Sequence, residues 1–378
     1  MNKTADKKRP PLSTLYRLSL AGHIIAAVSA ALILLHLLTR DDHALMVWAS
    51  ERLVRPVHRA LAVLNDHLPL SVAELLIGLA VIAVLIYIIY TIIKLIRCGG
   101  RLKRLYAAVI NLLAAGLAVY AGFCMLWGVY YYGDDFMTRS GLKNDNISVE
   151  QLETVTEYFA ALVNEYSSQV PRDADGNYVA DRDAILRRSN EVYANVEETL
   201  PCLSGPAVRA KGVHFSRVMS YTDFTGFFFP FTAEANVNTD FPPALFASTV
   251  AHELAHQRGV AKEQEANFAA VLASLEYGDA EYCYSACVLA YTHLGNALYS
   301  ADYEAWKSIY LTLNEDVRRD FDANREYWAQ FETPVQKVSN TVYEGFLHSY
   351  DQTMGLKSYG ACVDLLVNYY YEQAALGN

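Results

Sequence analysis

The sequence has little charge and little cysteine. Charged residues make up 19% of the chain and hydrophobic residues 53%, a balance that excludes an ordinary soluble protein. Six cysteines are too few for a disulfide scaffold. The sequence leaves open whether the four in the carboxy-terminal two thirds pair with one another. They are Cys202, Cys283, Cys287 and Cys362.

A net positive charge is also absent. The whole chain carries a formal charge of -10, but residues 1–132 contain 14 Lys and Arg against 6 Asp and Glu, a net of +8. Residues 133–378 therefore carry -18. Nucleic-acid binding needs clustered basic side chains to neutralise phosphates. An acidic domain of this kind argues against nucleic acid as a partner.

Three long apolar runs lie in the first third of the chain, at 18–38, 75–93 and 105–132. Each has about the 20 residues that a helix needs to cross the hydrocarbon core of a bilayer. They predict a membrane anchor of three transmembrane helices in residues 1–132, followed by a domain in residues 133–378. No small-residue cleavage site follows the first run, so we expect it to be retained.

The short flanks of these runs predict the orientation. Ten basic residues lie before the first run and between the second and third, whereas four lie in the loop between the first and second. The ten are Lys3, Lys7, Lys8, Arg9, Arg17, Lys94, Arg97, Arg101, Lys103 and Arg104, and the four are Arg40, Arg52, Arg55 and Arg59. The excess of positive charge favours the cytoplasmic side. The sequence thus predicts a protein of the cytoplasmic membrane with its carboxy-terminal domain outside.

Polar and aromatic side chains mark particular positions in these runs. His23, His36 and Asn111 are polar groups at membrane depth, and we expect them to hold helices together rather than to mark a transport pathway. Trp127 and the tyrosines at 130–132 are typical of an aromatic belt at the membrane surface. The alternative is a helix that continues into the next domain.

The carboxy-terminal domain reads as mainly helical with a small β-sheet. Aromatic and β-branched residues broken by glycine and proline between Val213 and Asn238 predict short strands. From Pro243 onward almost every segment has a helical pattern. The strand near residues 227–231 could pair with an extended peptide, as edge strands do. A buried core strand is an equal alternative.

The segment His252-Glu253-Leu254-Ala255-His256 is an H-E-x-x-H motif. Residues four apart on a helix project from one face, so both imidazoles can bind one zinc ion while Glu253 serves as general base. A catalytic zinc needs a third protein ligand. Gly259 allows the chain to turn back and present Glu263, but Glu265 also lies in the next helix. The sequence leaves the choice between these two carboxylates open.

Two further residues follow on a later helix. Tyr291 or His293 could donate a hydrogen bond to a developing oxyanion, although a packing role is the more common one for each. A structural zinc site would instead close its fourth position with a protein ligand, for which Glu265 or His293 is available. Glu253 favours the catalytic alternative because a structural site has no use for a general base.

The motif and its surroundings resemble known families. His252 to His256 followed by Glu263 and, four residues on, Asn267 resembles the gluzincin pattern. That resemblance implies His252, His256 and Glu263 as ligands of one Zn²⁺, Glu253 as the base, and Asn267 as support for a ligand. The stretches 229–238, 252–259 and 263–268, with three leading spans and Ser358-Tyr-Gly, resemble a family of bacterial membrane proteins of unknown function that are predicted to be zinc peptidases.

Together these features predict three transmembrane helices followed by a helical, zincin-like domain with a small β-sheet. The function they favour is hydrolysis of a peptide or related amide bond outside the cytoplasmic membrane. The substrate could be a peptide, a peptidoglycan cross-link or a lipoprotein of the cell envelope, and a peptide bond is the preferred hypothesis. The alternative is a non-catalytic zinc-containing sensor or binding protein. The oligomeric state is left open.

Overall fold

The computed structural model describes residues 19–143, 145–349 and 360–377. Within them the chain is mostly helical with one three-stranded sheet, and the predicted fold class is confirmed. Some sequence features lie outside the described residues. They are the basic residues Lys3, Lys7, Lys8, Arg9 and Arg17, the start of the first apolar run at Leu18, and Ser358 with Tyr359.

Three helices are long and apolar enough to cross a membrane, which is consistent with a membrane protein. They are α1 (Leu20–Thr39), α4 (Val72–Arg97) and α5 (Arg101–Leu126). Most of their large apolar side chains are exposed, as lipid contact requires.

Polar side chains connect the three long helices. Two of the three residues that were expected to hold helices together, His23 and Asn111, make such connections. His23 Nε2 lies 2.8 Å from the hydroxyl of Tyr106, so α1 is joined to α5. Asn111 Nδ2 donates to the hydroxyl of Tyr87 at 2.8 Å, which joins α5 to α4. His36 is buried and contacts the ring of Tyr132 edge-on.

The third apolar run does not stay helical to its predicted end at Tyr132. Helix α5 ends at Leu126, and a 3₁₀ turn at Gly128–Tyr131 follows. Trp127 and Tyr130 are 6% and 7% exposed, because they pack against Met46, Val54 and Ala261. These two rings are therefore buried inside the protein and do not form an aromatic belt, and the alternative of a helix that continues into the next domain is also wrong, because α5 ends at Leu126.

The loop between the first two long helices is itself folded. It contains α2 (His43–Ala49), a π-helical turn (Ser50–Val54) and α3 (Arg55–Asp66). Arg55 donates to the backbone carbonyl of Cys202 at 2.8 Å. Asn65 Nδ2 donates to the carbonyl of Thr232 at 2.8 Å. Contacts thus cross the predicted domain boundary at residue 132.

The sheet contains strands β1 (Lys211–Val213), β2 (Gly226–Phe229) and β3 (Glu234–Asn238). β3 is central and fully buried, parallel to β1 and antiparallel to β2. β2 is therefore an edge strand. The prediction of short strands between Val213 and Asn238 is confirmed.

The remaining helices of residues 133–378 surround one hydrophobic core. It is formed chiefly by four helices that pack together, Val149–Ser167, Phe246–Gln257, Glu263–Tyr277 and Ala280–Ala301. In chain order the remaining helices are α6 (Phe136–Ser140), α7 (Val149–Ser167), α8 (Arg182–Arg188), α9 (Val196–Thr199), α10 (Ser216–Ser220), α11 (Phe246–Gln257), α12 (Glu263–Tyr277), α13 (Ala280–Ala301), α14 (Tyr303–Tyr310), α15 (Glu315–Ala329), α16 (Pro334–Ser349) and α17 (Gly360–Gly377). We refer to residues 133–378 as the outer domain.

Candidate metal centre

The H-E-x-x-H motif lies on α11, which begins after a 3₁₀ turn at Pro243–Leu245. The rings of His252 and His256 project from the same face, with their centroids 4.6 Å apart. The helix ends at Gln257, and Gly259, two residues later, has a φ of 79°. This conformation favours glycine. A β-carbon at Gly259 would also lie 2.9 Å from the ring of Tyr130.

The turn at Gly259 brings the start of α12 back to the histidines. Glu263 Oε2 lies 3.1 Å from His252 Nε2 and 3.5 Å from His256 Nε2. One donor atom from each of the three residues falls within 4.8 Å of the others, so the group could hold a metal ion. The structure thus brings together the three residues that the sequence singled out.

The second nitrogen of each imidazole has a hydrogen-bond partner. His252 Nδ1 lies 2.8 Å from Asn267 Oδ1, and His256 Nδ1 lies 2.7 Å from the backbone carbonyl of Val260. Such partners fix the ring orientation and leave Nε2 free to bind a metal. Asn267 occupies the supporting position that the gluzincin resemblance implies.

Glu253 is buried beside the histidines. Its Oε2 atom has no hydrogen-bond partner among the described residues. Burial raises its pKa to about 7, against the opposing charges of His252 and His256. Strand β2 passes close to it, because a β-carbon on Gly226 would lie 2.7 Å from Glu253 Cγ. A carboxylate with such a pKa can exchange a proton near neutral pH.

His256 and Glu263 each stabilise the charged form of the other. Burial would lower the pKa of His256, but the neighbouring carboxylate of Glu263 outweighs it and raises that pKa to about 9. Burial would likewise raise the pKa of Glu263, yet His256 and hydrogen bonds from both imidazoles hold it well below its ordinary value. Glu263 is therefore ionised, as a metal ligand must be.

The structure places Glu265 away from this group. Its carboxylate accepts hydrogen bonds from the backbone N–H groups of Phe136 at 2.9 Å and Met137 at 3.4 Å. It thereby satisfies the free amides at the start of α6. Of the two carboxylates that the sequence left open, only Glu263 lies next to both histidines.

Neither sequence candidate for an oxyanion donor lines the cavity beside the motif. Tyr291 is 4% exposed and packs against Phe321. His293 is 6% exposed, and burial together with the charge of His252 lowers its pKa to about 4. The packing role expected for Tyr291 is confirmed.

Tyr343 is the residue that sequence reasoning missed. It lies on α16, and its hydroxyl donates to Glu263 Oε1 at 2.8 Å. Tyr131 also lines the cavity, and Trp127 Nε1 lies 3.0 Å from its hydroxyl. No local pattern distinguishes these two among 27 tyrosines.

A cavity of about 300 Å³ opens beside the three candidate ligands and Glu253. Aromatic rings form much of its wall, among them Phe123, Trp127, Phe228 and Phe346. The backbone of residues 222–228 forms another side. The cavity can hold a few residues of an extended chain next to Glu253.

Residues 50–367 match the model of a family described as a protein of unknown function, DUF3810. The chain belongs to the DUF3810 family. No curated protein and no solved structure matches it. The DUF3810 match includes most of the folded loop, the second and third long helices and the metal centre. The resemblance to a family of unknown function is confirmed. The family's description names no activity.

Five cysteines of this DUF3810 protein are free thiols: Cys98, Cys202, Cys283, Cys287 and Cys362. Cys283, Cys287 and Cys362 are buried, and Cys202 is half-buried. None belongs to the group of candidate ligands. The question of pairing that the sequence left open is answered in favour of free thiols.

Proposed function

We propose that the chain is a membrane-anchored zinc metallopeptidase that hydrolyses a peptide or related amide bond outside the cytoplasmic membrane. One observation carries the proposal: the Nε2 atoms of His252 and His256 converge on Glu263 Oε2, beside the buried carboxylate of Glu253. Two imidazoles and one carboxylate are a ligand set of catalytic zinc sites, in which a fourth position stays open.

The residues present fit a zinc ion. Two imidazole nitrogens and an ionised carboxylate suit its preference for nitrogen and oxygen donors, and a bound ion would displace the proton that His256 otherwise carries. Glu253 Oε2, which lacks a protein partner among the described residues, is available to a water molecule in the cavity. A bound zinc would supply Lewis-acid polarisation of the scissile carbonyl and would acidify a water.

The protein's own residues would perform the proton transfers. Glu253 accepts a proton from the attacking water and later donates it to the leaving amine. Tyr343 holds Glu263 through its hydroxyl, so that the carboxylate keeps its orientation towards both histidines. Walls formed largely by aromatic rings limit the access of bulk water.

An extended peptide suits the side of the cavity formed by β2. The strand pairs with β3 on one side only, and Gly226, Phe227 and Phe228 line the cavity. A strand with one unpaired edge can hydrogen-bond the backbone of a substrate that adds to the sheet. Gly226 allows β2 to lie directly against Glu253.

The site of action outside the cytoplasm is part of the proposal and depends on the basic residues that flank the long helices. The distribution of ten and four basic residues, read from the sequence, supports it.

Zinc content of the purified protein tests the proposal. Elemental analysis should find one equivalent in the wild type and in the Glu265→Gln control, and a loss in His256→Ala and Glu263→Ala. Glu253→Gln should keep the zinc and lose hydrolysis of a peptide mixture, monitored by mass spectrometry. A wild type without bound metal after metal-replete purification would contradict the proposal.

A sensor that binds zinc without catalysis is the second candidate. One observation favours it: the carboxylate of Glu234 in β3 accepts hydrogen bonds from the backbone N–H groups of Val72 and Ala73, at the start of α4. The sheet beside the metal centre is thereby joined to a long apolar helix. Glu253→Gln distinguishes the two candidates, because a sensor would keep its function in that variant.

A further inference from the structure

The metal centre lies next to the end of the third apolar helix. Phe123, in the last turn of α5, and Trp127, just after it, both line the cavity that contains His252 and His256. The rings of Trp127 and His256 lie 5.9 Å apart. No separate domain or linker stands between this helix and the site.

One turn before Phe123, side chains of the same helix are exposed, as expected for a membrane span. Val119 is 62% exposed and Tyr120 is 43% exposed. The distance from Tyr120 to Trp127 along the axis is roughly 10 Å at 1.5 Å per residue. The metal centre therefore lies within roughly one to two helix turns of the lipid-exposed surface of α5.

The sheet touches the same helix. A β-carbon on Gly122 would lie 2.6 Å from the ring of Phe231, at the turn between β2 and β3. The edge strand that borders the cavity thus ends against α5. A peptide lying along β2 would have one end close to the membrane surface.

The cavity wall favours apolar and uncharged ligands. Phe346 packs edge-on against Phe123 at 5.4 Å, and Trp127 packs against Phe228 at 4.9 Å. No described residue lining the cavity is Lys or Arg, whereas Asp223, Glu253 and Glu263 contribute carboxylates. Phosphate-rich or carboxylate-rich ligands would meet like charges there.

We infer that the substrate is the juxtamembrane segment of a membrane-anchored polypeptide, with an apolar residue beside the scissile bond in contact with Phe123, Trp127 and Phe346. The inference rests on the proposed metal centre and names the substrate class for it. A polypeptide already held in the bilayer would reach the site after a few residues. Its tether would also raise its effective concentration at the cavity.

A series of tethered hydroxamates tests this inference through binding rather than turnover. Hydroxamates chelate the metal of zinc peptidases, and cobalt substitution makes their binding visible in the absorption spectrum. The full chain in phosphatidylcholine nanodiscs would be titrated with acetyl-Gly-Gly-Leu hydroxamate, palmitoyl-Gly-Gly-Leu hydroxamate and a palmitoyl form with twelve glycines. Two glycines span about 7 Å and twelve about 40 Å when extended.

We expect the short palmitoyl probe to bind tighter than the acetyl probe by about tenfold or more, because its anchor places it near the site. It should also bind at least as well as the long one. The inference would be overturned if the short palmitoyl probe bound no tighter than the acetyl probe while the long palmitoyl probe bound well. The site would then lie far from the bilayer.

Two variants separate the apolar wall from the tether. Phe123→Ser should weaken the Leu probe by about tenfold, the loss expected for about 1.4 kcal/mol of apolar contact, and leave acetohydroxamate binding unchanged. Val119→Ser, one turn earlier on the same helix, is the matched control and should change neither. Equal losses of affinity for the Leu probe in Phe123→Ser and Val119→Ser would count against contact between the probe and Phe123. If the short palmitoyl probe still bound tighter than the acetyl probe but the protein hydrolysed no peptide, only the proposed catalysis would be contradicted.

Discussion

Gly226 shows how a single missing side chain positions a candidate base. A β-carbon at this residue would lie 2.7 Å from Glu253 Cγ, so a side chain here would force the buried carboxylate out of its position. We expect Gly226→Ala to displace Glu253 and to lower kcat by about 100-fold, since small misplacements of a catalytic group have effects of this size. The bound zinc should remain, because the three atoms nearest to that β-carbon all belong to Glu253 and not to a candidate ligand.

Zinc content and steady-state kinetics measured side by side check this. Gly345→Ala on α16 is the matched control, because a β-carbon there meets nothing within 4 Å. If Gly226→Ala lost its zinc along with its activity, the strand would be needed to build the site rather than to place the base.

The sequence identified the three candidate ligands but not the residues that surround them. The spacing of His252, Glu253 and His256 places them on one helix face, and Gly259 explains why Glu263 reaches them; both features are local. Tyr343 and Gly226 approach the site from segments far along the chain. Their contacts depend on how α16 and β2 pack, which no short-range pattern encodes.

His58 predicts a pH dependence of stability. It is 2% exposed, stacks on Tyr130 and contacts Phe228, and burial lowers its pKa to about 4. In the unfolded chain its pKa is about 6.5, so between these values the unfolded state binds the proton and the folded state does not. The stability is therefore fully present above about pH 6.5, and up to about 3 kcal/mol is lost as the pH falls towards 4.

Thermal unfolding in detergent between pH 7.5 and 4.5, wild type against His58→Phe, measures this contribution. The melting temperature of the wild type should fall more steeply with acid than that of the variant. Parallel curves would mean that another group accounts for the loss.

At the scale of elements, the helices and the short strands were predictable because their periodicity and breaker residues are local. The end of α5 was not. The apolar and aromatic run continues to Tyr132, but the chain leaves the helix after Leu126 so that Trp127 and Tyr130 can pack between α2 and the outer domain. Tertiary contacts decided where this helix stops.

The junction between β3 and α4 is an element-scale feature with a measurable effect. Glu234 accepts from Lys211 Nζ at 2.6 Å and from the N–H groups of Val72 at 3.1 Å and Ala73 at 2.7 Å. Replacing the carboxylate by an amide removes the counter-charge of the buried Lys211 and one of the two acceptor oxygens at the start of α4. We expect Glu234→Gln to destabilise the protein by about 3 kcal/mol.

Thermal unfolding of Glu234→Gln, with Glu150→Gln as control, tests this value. Glu150, in the first turn of α7, is an exposed glutamate, so its replacement should change stability little. The double variant Lys211→Met, Glu234→Gln should be less unstable than the two single effects added together, because the pair interacts. Additive effects would show that the two side chains act independently.

At the scale of the whole molecule, the boundary predicted at residue 132 divides surfaces that are packed together. Ala62 of α3 packs with Val208 and Ala233 of the outer domain, and Trp127 packs in one cluster with Ala261. Lys211 Nζ donates to the carbonyls of Asn65 at 2.7 Å and Leu70 at 3.0 Å. A fragment of residues 133–378 would expose these apolar side chains and deprive the buried ammonium of Lys211 of two of its three acceptors.

We therefore expect residues 133–378, expressed alone, to aggregate and to bind no zinc, whereas residues 43–378 in detergent keep one equivalent. The longer fragment retains α2, α3 and both helices within the family match, and it lacks α1. Co-expression of residues 1–132 with 133–378 should restore part of the zinc binding, because the missing surfaces are supplied in trans. Size-exclusion chromatography with metal analysis measures all three cases. A monomeric 133–378 fragment with one zinc would mean that the long helices serve only as an anchor, and the contacts across residue 132 would then contribute little to the metal centre.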